Sequence, residues 1–328
     1  MHKELLRVLA CPETGGTLAL EIEEERDGHV YAGSLISQPT GKRFPIERFI
    51  PRFVPQSNYA DNFGFQWNRF RQTQLDSYSG TKITADRFWA QSGWQPEDIK
   101  GKRVLDIGCG AGRFAEIALD AGAQLVALDF SSAVDACLEN HRQRTPQLDV
   151  VQGNIYHLPF KPAQFDFVYC FGVLQHTPDV RASFLALAAQ LNSGGRLAVD
   201  VYRKHWSNWV HPKYWLRPLT TRMRQDELFS LVESWAPSLL AVSSTARAVP
   251  LIGKLLARPI PVANYSGVLP LSKTQLEAWA ILDTFDWLGP AYDQPQTEQT
   301  LRSWGQESGL VNVEVLHPAH LTLRGSAP

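Results

Sequence analysis

Cysteine is scarce in this sequence, and its spacing excludes the common metal and redox motifs. The 328 residues include only four cysteines, and no Cys-x-x-Cys pair occurs among them. Structural zinc sites and thioredoxin-like sites usually depend on such pairs. The four residues are Cys11, Cys109, Cys137 and Cys170. We therefore predict reduced, structural thiols and no bound metal.

Long apolar runs and internal repeats are also missing. No run approaches the roughly 20 apolar residues that a membrane-spanning helix needs, and the charged opening Met1-His2-Lys3-Glu4 is followed by no secretory apolar stretch. Hydrophobic residues nevertheless make up 44% of the chain, which can bury a large core and an accessory domain. We expect a globular, cytoplasmic protein.

An excess of positive charge is absent as well. The formal net charge is -1, so no overall field attracts nucleic acid, whose binding depends on neutralising phosphates. A small or carrier-linked substrate is favoured instead. Residues 203–224 are a local exception, in which basic and aromatic side chains alternate. This stretch is either a surface for phosphate or a peripheral membrane contact, or a helical packing surface with its aromatics inside. Its members are Arg203, Lys204, Lys213, Arg217, Arg222 and Arg224 with Trp206, Trp209, Tyr214 and Trp215.

The hydrophobic pattern divides the chain into five parts. Short apolar runs between turns predict a small β module over residues 1–55, and aromatic residues at helical spacing predict a helical lead-in over 56–100. Residues 101–202 alternate strands and helices. Residues 203–295 form a helical insertion, and 296–328 add a last helix and two strands that return to the same sheet.

The alternation in the third part predicts the fold class. Apolar strands alternate with helices that begin near Gly112, Ser131 and Asp179, which indicates an α/β fold with a parallel, doubly wound, Rossmann-like sheet. A helix over 298–308 and strands over 311–316 and 320–324 follow the insertion. The predicted strands of the third part are 103–107, 124–128, 148–152, 165–171 and 196–202.

A glycine-rich turn follows the first predicted strand. The segment reads Val104-Leu105-Asp106-Ile107-Gly108-Cys109-Gly110-Ala111-Gly112, which brings unhindered backbone to the carboxyl edge of the sheet, where such folds bind nucleotides. A dinucleotide fingerprint would place its third glycine at position 113, where this chain has Arg113. A tight turn without a ligand is the remaining alternative.

An aspartate ends the second predicted strand. Asp129 lies about 20 residues after the glycine turn, where a carboxylate can accept hydrogen bonds from both ribose hydroxyls of a nucleoside. Each such bond contributes roughly 1.5–3 kcal/mol. Capping the next helix is the competing role, although Ser131 and Ser132 can supply that cap.

These motifs together resemble class I S-adenosylmethionine-dependent methyltransferases of the small-molecule type. The resemblance covers residues 102–202 and the final helix and strands. The matching segments are 104–112, Asp129, 152–160, 165–168 with 171–176, and 191–197. It implies a seven-stranded sheet with an antiparallel last strand, and S-adenosylmethionine as cofactor. The cofactor-binding residues that it implies are Asp106, Gly108, Cys109, Gly110, Gly112, Arg113, Asp129, Phe130, Asn154, Ile155 and Phe171. Asn154 departs from the aspartate that is common in the family.

The N-terminal module resembles a zinc ribbon that has lost its metal ligands. Cys11-Pro12 resembles the opening of such a ribbon, and residues 41–46 resemble its closing strand. The other three ligand positions hold Thr14, Ser37 and Thr40, so a tetrahedral thiolate site cannot form.

Several residues are candidates for binding or activating a methyl acceptor. His176 follows the strand 165–171 into the predicted cleft, and imidazole titrates near neutrality, which suits a general base. A structural role, capping the next helix or bonding to the backbone of its own turn, competes with this interpretation. Loop residues commonly select substrates, and the tentative acceptor-binding residues are Gln66, Trp67, Gln175, Tyr202, Asp286 and Tyr292.

Three functions are compatible with this sequence. The first is O-methylation of a small hydroxylated molecule, such as a sugar or a natural-product precursor. The second is methylation of tRNA or rRNA, which the ribbon resemblance and residues 203–224 suggest. The third is a non-catalytic subunit that binds S-adenosylmethionine. The large insertion and the balanced charge favour the first.

Overall fold

The first part of the chain forms a small antiparallel sheet. A computed structural model describes residues 1–55, 59–205, 211–318 and 320–328. The strands are β1 (Leu18–Arg26), β2 (His29–Ser37), β3 (Arg43–Glu47) and β4 (Ile50–Pro51), paired in that order. In β3, buried Phe44 and Ile46 alternate with exposed residues, as a sheet with one solvated face requires. The predicted β module is confirmed.

The second sheet has the predicted seven strands. They are β5 (Arg103–Ile107), β6 (Gln124–Asp129), β7 (Leu148–Gln152), β8 (Phe165–Cys170), β9 (Leu191–Val201), β10 (Val311–Leu316) and β11 (Leu321–Ser326). Their order is β10-β11-β9-β8-β5-β6-β7, and β11 runs antiparallel to both of its neighbours. The other described pairings are parallel. This arrangement confirms the Rossmann-like sheet with an antiparallel last strand.

One strand begins earlier than the sequence predicts. β9 starts at Leu191 rather than at residue 196, because Leu191 pairs with Phe165 and Arg196 with Phe167 across a shift in register. The extra residues are accommodated in a bulge that holds Gly194 at φ +74°, a conformation that glycine adopts without strain.

Helices cover both faces of the large sheet. They are α1 (Asp61–Arg69), α2 (Asp76–Ser79), α3 (Ile83–Ser92), α4 (Pro96–Ile99), α5 (Arg113–Asp120), α6 (Ala133–Asn140), α7 (Val180–Ala188), α8 (Pro212–Thr220), α9 (Gln225–Arg247), α10 (Gly253–Ala257), α11 (Lys273–Leu288) and α12 (Glu298–Glu307). One apolar cluster joins α3, α5 and α6 to the sheet, and another joins α7, α12 and the N-terminal module to its opposite face. Short 3-10 helices occupy Lys3–Arg7, Arg142–Gln147 and Leu174–His176.

The helical insertion has a core of its own. Leu228, Phe229 and Val232 of α9 pack with Phe285 and Leu288 of α11. Among the residues that the structure describes, no helix combines the length and the apolar character needed to cross a bilayer.

The described residues of the basic and aromatic stretch, 203–205 and 211–224, differ in their exposure. Lys213 is buried and pairs with Asp293 at 2.7 Å, and Arg217 donates to main-chain carbonyls. Trp215, in contrast, is exposed. Arg222 and Arg224 are exposed, as the packing interpretation expects, whereas buried Lys213 and exposed Trp215 depart from it. Trp206 and Trp209 lie outside the described residues.

Candidate active site

A cavity of about 820 Å³ lies at the carboxyl ends of the strands. Its walls come from the turns after β5, β6 and β8 and from residues of the insertion. β6 and β8 lie on opposite sides of β5, so this is the point where chain connections leave in opposite directions and open α/β sheets bind ligands. The volume suits a ligand of several hundred daltons.

The glycine turn is closely packed beneath this cavity. Gly108, Gly110 and Gly112 have φ values of +79°, +52° and +84°, which non-glycine residues rarely adopt. A Cβ atom on Gly108 would lie 2.3 Å from Val173. The indole of Trp67 covers Gly110, with Nε1 3.2 Å from the position of a Cβ atom there.

Asp129 lies at the edge of the cavity and fixes the turn. Its Oδ2 accepts from the Gly110 amide at 2.9 Å, and its Oδ1 accepts from the amide and hydroxyl of Ser131 at 2.8 and 2.7 Å. Burial raises its pKa, against the effect of these donors. The carboxylate of Asp129 also lines the cavity, where a ligand hydroxyl can approach it. Ser131 accepts from Ala133 N at the start of α6.

The other predicted cofactor residues fall into two groups. Cys109, Arg113, Phe130, Ile155 and Phe171 line the cavity with Gly108, Gly110 and Asp129. Asp106, Gly112 and Asn154 are not in its wall.

Asp106, Gly112 and Asn154 each contact other groups of the protein instead. Asp106 is buried beside Tyr169, and burial raises the pKa of its carboxyl. The carbonyl oxygen of Gly112 lies 2.9 Å from Nε2 of His141. The amide oxygen of Asn154 accepts from the backbone of Tyr156 at 3.0 Å.

One face of α1 closes the cavity. Phe63, Gln66 and Trp67 are three and four residues apart, so they lie on the same side of the helix, and all three line the cavity. Gln66 is completely buried, and neither atom of its amide has a partner among the described residues. A buried amide without partners is costly. Its position at the cavity therefore indicates hydrogen bonds to a ligand.

His176 lies in the wall with one ring nitrogen free. Its Nδ1 is 2.9 Å from the carbonyl oxygen of Tyr292. Because a carbonyl only accepts, Nδ1 carries the proton and Nε2 is an acceptor. Nε2 is buried and has no partner among the described residues. The helix cap belongs to Asp179, which accepts from Ala182 N.

Of the other four residues predicted to bind the methyl acceptor, two line the cavity and two do not. Tyr202 and Asp286 line the cavity, with the phenol oxygen 3.4 Å from Oδ2. Gln175 and Tyr292 are outside the wall. Gln175 is buried behind it, and Tyr292 supplies the carbonyl that orients His176.

Two arginines give one end of the cavity a positive charge. The sequence predicted only one of them, Arg113, as a site residue. Arg87 and Arg113 line it and lie 5.2 and 5.1 Å from the centroid of the Phe114 ring. Arg87 pairs with the buried Asp200 at 2.8 Å. Burial, together with the charge of Arg87, lowers the pKa of Arg113 to about 9.

In the described part of the chain no carboxylate forms a salt bridge with Arg113, although Asp283 and Asp76 lie near enough to favour its charged form. Its guanidinium donates to the neutral side chains of Gln74 and Thr84. An anionic ligand group beside it would favour the charged form and raise its pKa again.

A buried acid from the insertion faces the same space. Asp283 accepts from the Tyr265 hydroxyl at 2.5 Å and from the amide of Gln74 at 3.2 Å. Burial raises its pKa from 3.8 to about 6. No metal site accompanies these carboxylates: in the described part of the chain, no group of three or more His, Cys, Asp or Glu side chains could hold a metal ion.

Asp283→Asn is expected to stabilise the protein at pH 8. A carboxyl whose pKa is raised on folding favours the folded state below pH 4, and that contribution is lost as pH rises through about 6. The difference of about 2 pH units corresponds to about 3 kcal/mol at most. Urea unfolding should show that the Asp283→Asn variant is more stable than wild type at pH 8 and no more stable at pH 4.

A second variant checks the cause of this effect. Tyr265→Phe removes a donor that lowers the pKa of Asp283, so it should steepen the loss of stability between pH 4 and pH 8. Stabilities of Asp283→Asn and wild type that stay parallel at every pH would contradict the assignment of a raised pKa.

Comparisons with known proteins agree with the motif order. Residues 105–199 match the family model described as "Methyltransferase domain". A ubiquinone biosynthesis O-methyltransferase of Xanthomonas campestris pv. campestris (strain B100) is 30% identical over 155 residues, which are 42% of this chain and 64% of that protein. Another protein of that name, from Idiomarina loihiensis, is 32% identical over 119 residues, 35% of this chain and 48% of its own length. These matches span less than two thirds of the relatives.

A solved structure gives a weaker likeness. Magnesium protoporphyrin IX methyltransferase of Synechocystis PCC 6803, with bound SAH, has a TM-score of 0.44 at 15% identity over 82% of this chain and 97% of that chain. The fold assignment therefore depends on the strand order of the chain itself. The match of residues 105–199 to the methyltransferase model supports the predicted S-adenosylmethionine-dependent class.

Proposed function

We propose that this protein is an S-adenosylmethionine-dependent O-methyltransferase for a small hydroxylated acceptor, such as a sugar or a natural-product precursor. The observation that carries the proposal is the unpartnered acceptor nitrogen of His176 in the wall of a cavity that also contains the glycine turn and Asp129. The name of the curated relatives, O-methyltransferase, supports oxygen as the methylated atom.

The cavity has groups that fit each part of the cofactor. Asp129 presents a carboxylate to the ribose hydroxyls, and Phe130 and Ile155 offer apolar surface beside it for the adenine. We place the methionine carboxylate beside Arg113, whose lowered pKa reflects burial and the neighbouring charge of Arg87. The unpartnered amide of Gln66 is available to the same ligand.

Catalysis in this arrangement depends first on alignment. When bound, S-adenosylmethionine supplies an electrophilic methyl group on a sulfonium. Nε2 of His176 would accept the proton of the acceptor hydroxyl as that oxygen displaced S-adenosylhomocysteine from the methyl carbon, with the methyl–sulfur bond breaking. The carbonyl of Tyr292 keeps the ring in the required tautomer. Positioning can contribute about 7–11 kcal/mol, whereas a general base typically adds about 10²–10⁴-fold.

Aromatic rings and carboxylates from the insertion support the choice of acceptor. Tyr202, Tyr214 and Trp287 line the cavity with Asp283 and Asp286. Flat apolar rings with nearby hydrogen-bond acceptors suit a ring-shaped, hydroxylated molecule. The net charge of -1 gives the chain no overall field that attracts a polyanion, so RNA is the less favoured acceptor.

Methyl transfer to a fractionated cell extract tests the proposed acceptor class. With methyl-labelled S-adenosylmethionine, we expect label in small, ribonuclease-resistant and base-stable molecules, as ethers are. Label that ribonuclease releases, with transfer that falls steeply as salt rises, would identify RNA as the acceptor and overturn the proposal. Label on a macromolecular carrier from which a small hydroxylated product can be cleaved would support the carrier-linked form of the acceptor.

We also propose that residues 1–55 are a ribbon-like module without metal. The five parts predicted from the sequence are, in this proposal, the folded units of the chain. The pKa of the Cys11 thiol is lowered, because the polar groups of Ser37 and Thr14 near it outweigh the opposite effect of burial. The hydroxyls of Thr14 and Thr40 accept from backbone amides in their turns. The cytoplasmic location stays a prediction.

The purified protein is expected to contain no stoichiometric zinc. Serine and threonine hydroxyls are poor zinc ligands at neutral pH, so Cys11 alone cannot retain the ion. Elemental analysis should find far less than one zinc per chain, and a chelator should leave the melting temperature unchanged. One zinc per chain, lost together with stability on chelation, would contradict this proposal.

A further inference from the structure

The insertion contains a long stretch without acidic residues. No Asp or Glu occurs between Glu233 and Glu277, whereas the stretch contains Arg247, Lys254 and Arg258. Lys254 and Arg258 are exposed. A segment of one charge sign, in a protein of net charge -1, produces a local positive field.

The same stretch exposes an unusual amount of apolar surface. The end of α9 and the whole of α10 pack together, and their outer side chains point away from the core of the insertion. We call this surface the α9–α10 tip. Its exposed apolar residues are Val242, Val249, Leu251, Ile252, Leu255 and Leu256. Clustered exposed apolar side chains usually mark an interaction site.

Leu251 is held outward by an uncommon backbone conformation. Its φ is +67°, which costs free energy for a residue with a branched side chain. Its side chain is fully exposed, so burial within the chain does not compensate for this conformation. A strained turn that presents a leucine to solvent indicates an external apolar environment for that side chain.

We propose that the α9–α10 tip docks on an anionic lipid bilayer, with its leucines at the acyl boundary and its basic residues at the headgroups. This combination of apolar and cationic residues is what interfacial binding requires. A second copy of the chain is a poorer partner, because two such tips would bring like charges together without any carboxylate between them.

The acid-free stretch that contains the tip also contributes to the cavity wall. Tyr265 and Leu269, from the acid-free stretch, line the cavity. His211 also lines it, and Arg258 is near enough to contribute, after burial and Lys213, to lowering the pKa of His211 to about 4. The docking itself is independent of the proposed methyl transfer.

Cosedimentation of the full chain with lipid vesicles tests the proposal. Wild-type protein should bind mixed phosphatidylglycerol and phosphatidylcholine vesicles, and bind pure phosphatidylcholine vesicles more weakly. Leu251→Ser with Leu255→Ser should lower the partition coefficient on mixed vesicles at least about tenfold. Lys254→Glu should lower it about tenfold on mixed vesicles and leave binding to phosphatidylcholine unchanged. Binding to mixed vesicles should also weaken as salt is raised.

A matched control and a separate measurement make the result decisive. Val311→Ser removes an exposed apolar side chain from β10 and should bind vesicles as wild type does. Calorimetry with S-adenosylmethionine, or near-UV circular dichroism if that ligand does not bind, shows whether the variants are folded. Absence of wild-type binding to mixed vesicles, or equal binding by the tip variants, would overturn the proposal. So would a dimer, detected by light scattering, that the leucine substitutions dissociate.

Discussion

His176→Ala is expected to lower kcat about 10²-fold or more once an acceptor is known. The substitution removes a buried imidazole nitrogen in the cavity wall that can accept a proton and has no partner among the described residues. A general base typically contributes about 10²–10⁴-fold. Affinity for S-adenosylmethionine should change little, because the assigned cofactor contacts lie on other side chains. Steady-state kinetics and calorimetry measure the two effects separately.

His176→Gln is the matched control for packing. Glutamine fills part of the ring volume and retains a polar group near the Tyr292 carbonyl, but it cannot accept a proton at neutral pH. We expect it to be as inactive as His176→Ala and closer to wild type in melting temperature. Near-normal turnover in either variant would remove the general base from the mechanism. Turnover would then depend on alignment by the insertion.

Asp129→Ala is expected to weaken S-adenosylmethionine binding about 10²-fold. Its carboxylate is assigned to the ribose hydroxyls, and hydrogen bonds to a charged group contribute roughly 1.5–3 kcal/mol each. The substitution also removes the acceptor for the Gly110 amide, which is 2.9 Å from Oδ2, so the glycine turn loses part of its support. Calorimetry with S-adenosylmethionine and with S-adenosylhomocysteine should show the same loss for both ligands.

Substitution of a second aspartate is the control, because it removes one negative charge without touching the proposed cofactor site. Asp120, at the end of α5, pairs with Arg144 on the surface, so Asp120→Ala should bind both ligands as wild type does. Unchanged affinity in Asp129→Ala would remove Asp129 from the site. Binding of NADH by the wild-type protein instead of S-adenosylmethionine would contradict the whole assignment.

The sequence predicted the sheet and the glycine turn well because both leave local signals. β5 and β7 begin and end where the apolar pattern placed them, and the three glycines adopt the positive φ values that only glycine tolerates easily. Asp106 and Asp129 show the limit of this reasoning. Asp129 is the last residue of its strand and reaches the cavity, whereas Asp106 precedes the end of β5 and is buried in the core.

Residues contributed by distant helices were predicted only in part: Asp286 was named as an acceptor-side candidate, whereas Arg87 and Asp283 were not. Arg87 is on α3, in a segment with no glycine turn or recognisable motif, and it reaches the site only because α3 packs against α5 and β9. Asp283 and Asp286 are three residues apart and therefore lie on the same side of α11, yet nothing in the sequence shows which side of that helix faces the cavity. Contacts between elements far apart in the chain determine these positions.

Formation of S-adenosylhomocysteine is the most direct test of the central claim that the cavity supports methyl transfer. Purified protein is incubated with methyl-labelled S-adenosylmethionine and the active extract fraction, and both products are quantified. We expect one S-adenosylhomocysteine for each labelled acceptor, with transfer abolished in Asp129→Ala at low cofactor concentration and strongly reduced in His176→Gln. Tight binding of S-adenosylmethionine without any S-adenosylhomocysteine, across all fractions, would contradict this claim and identify a non-catalytic binding subunit.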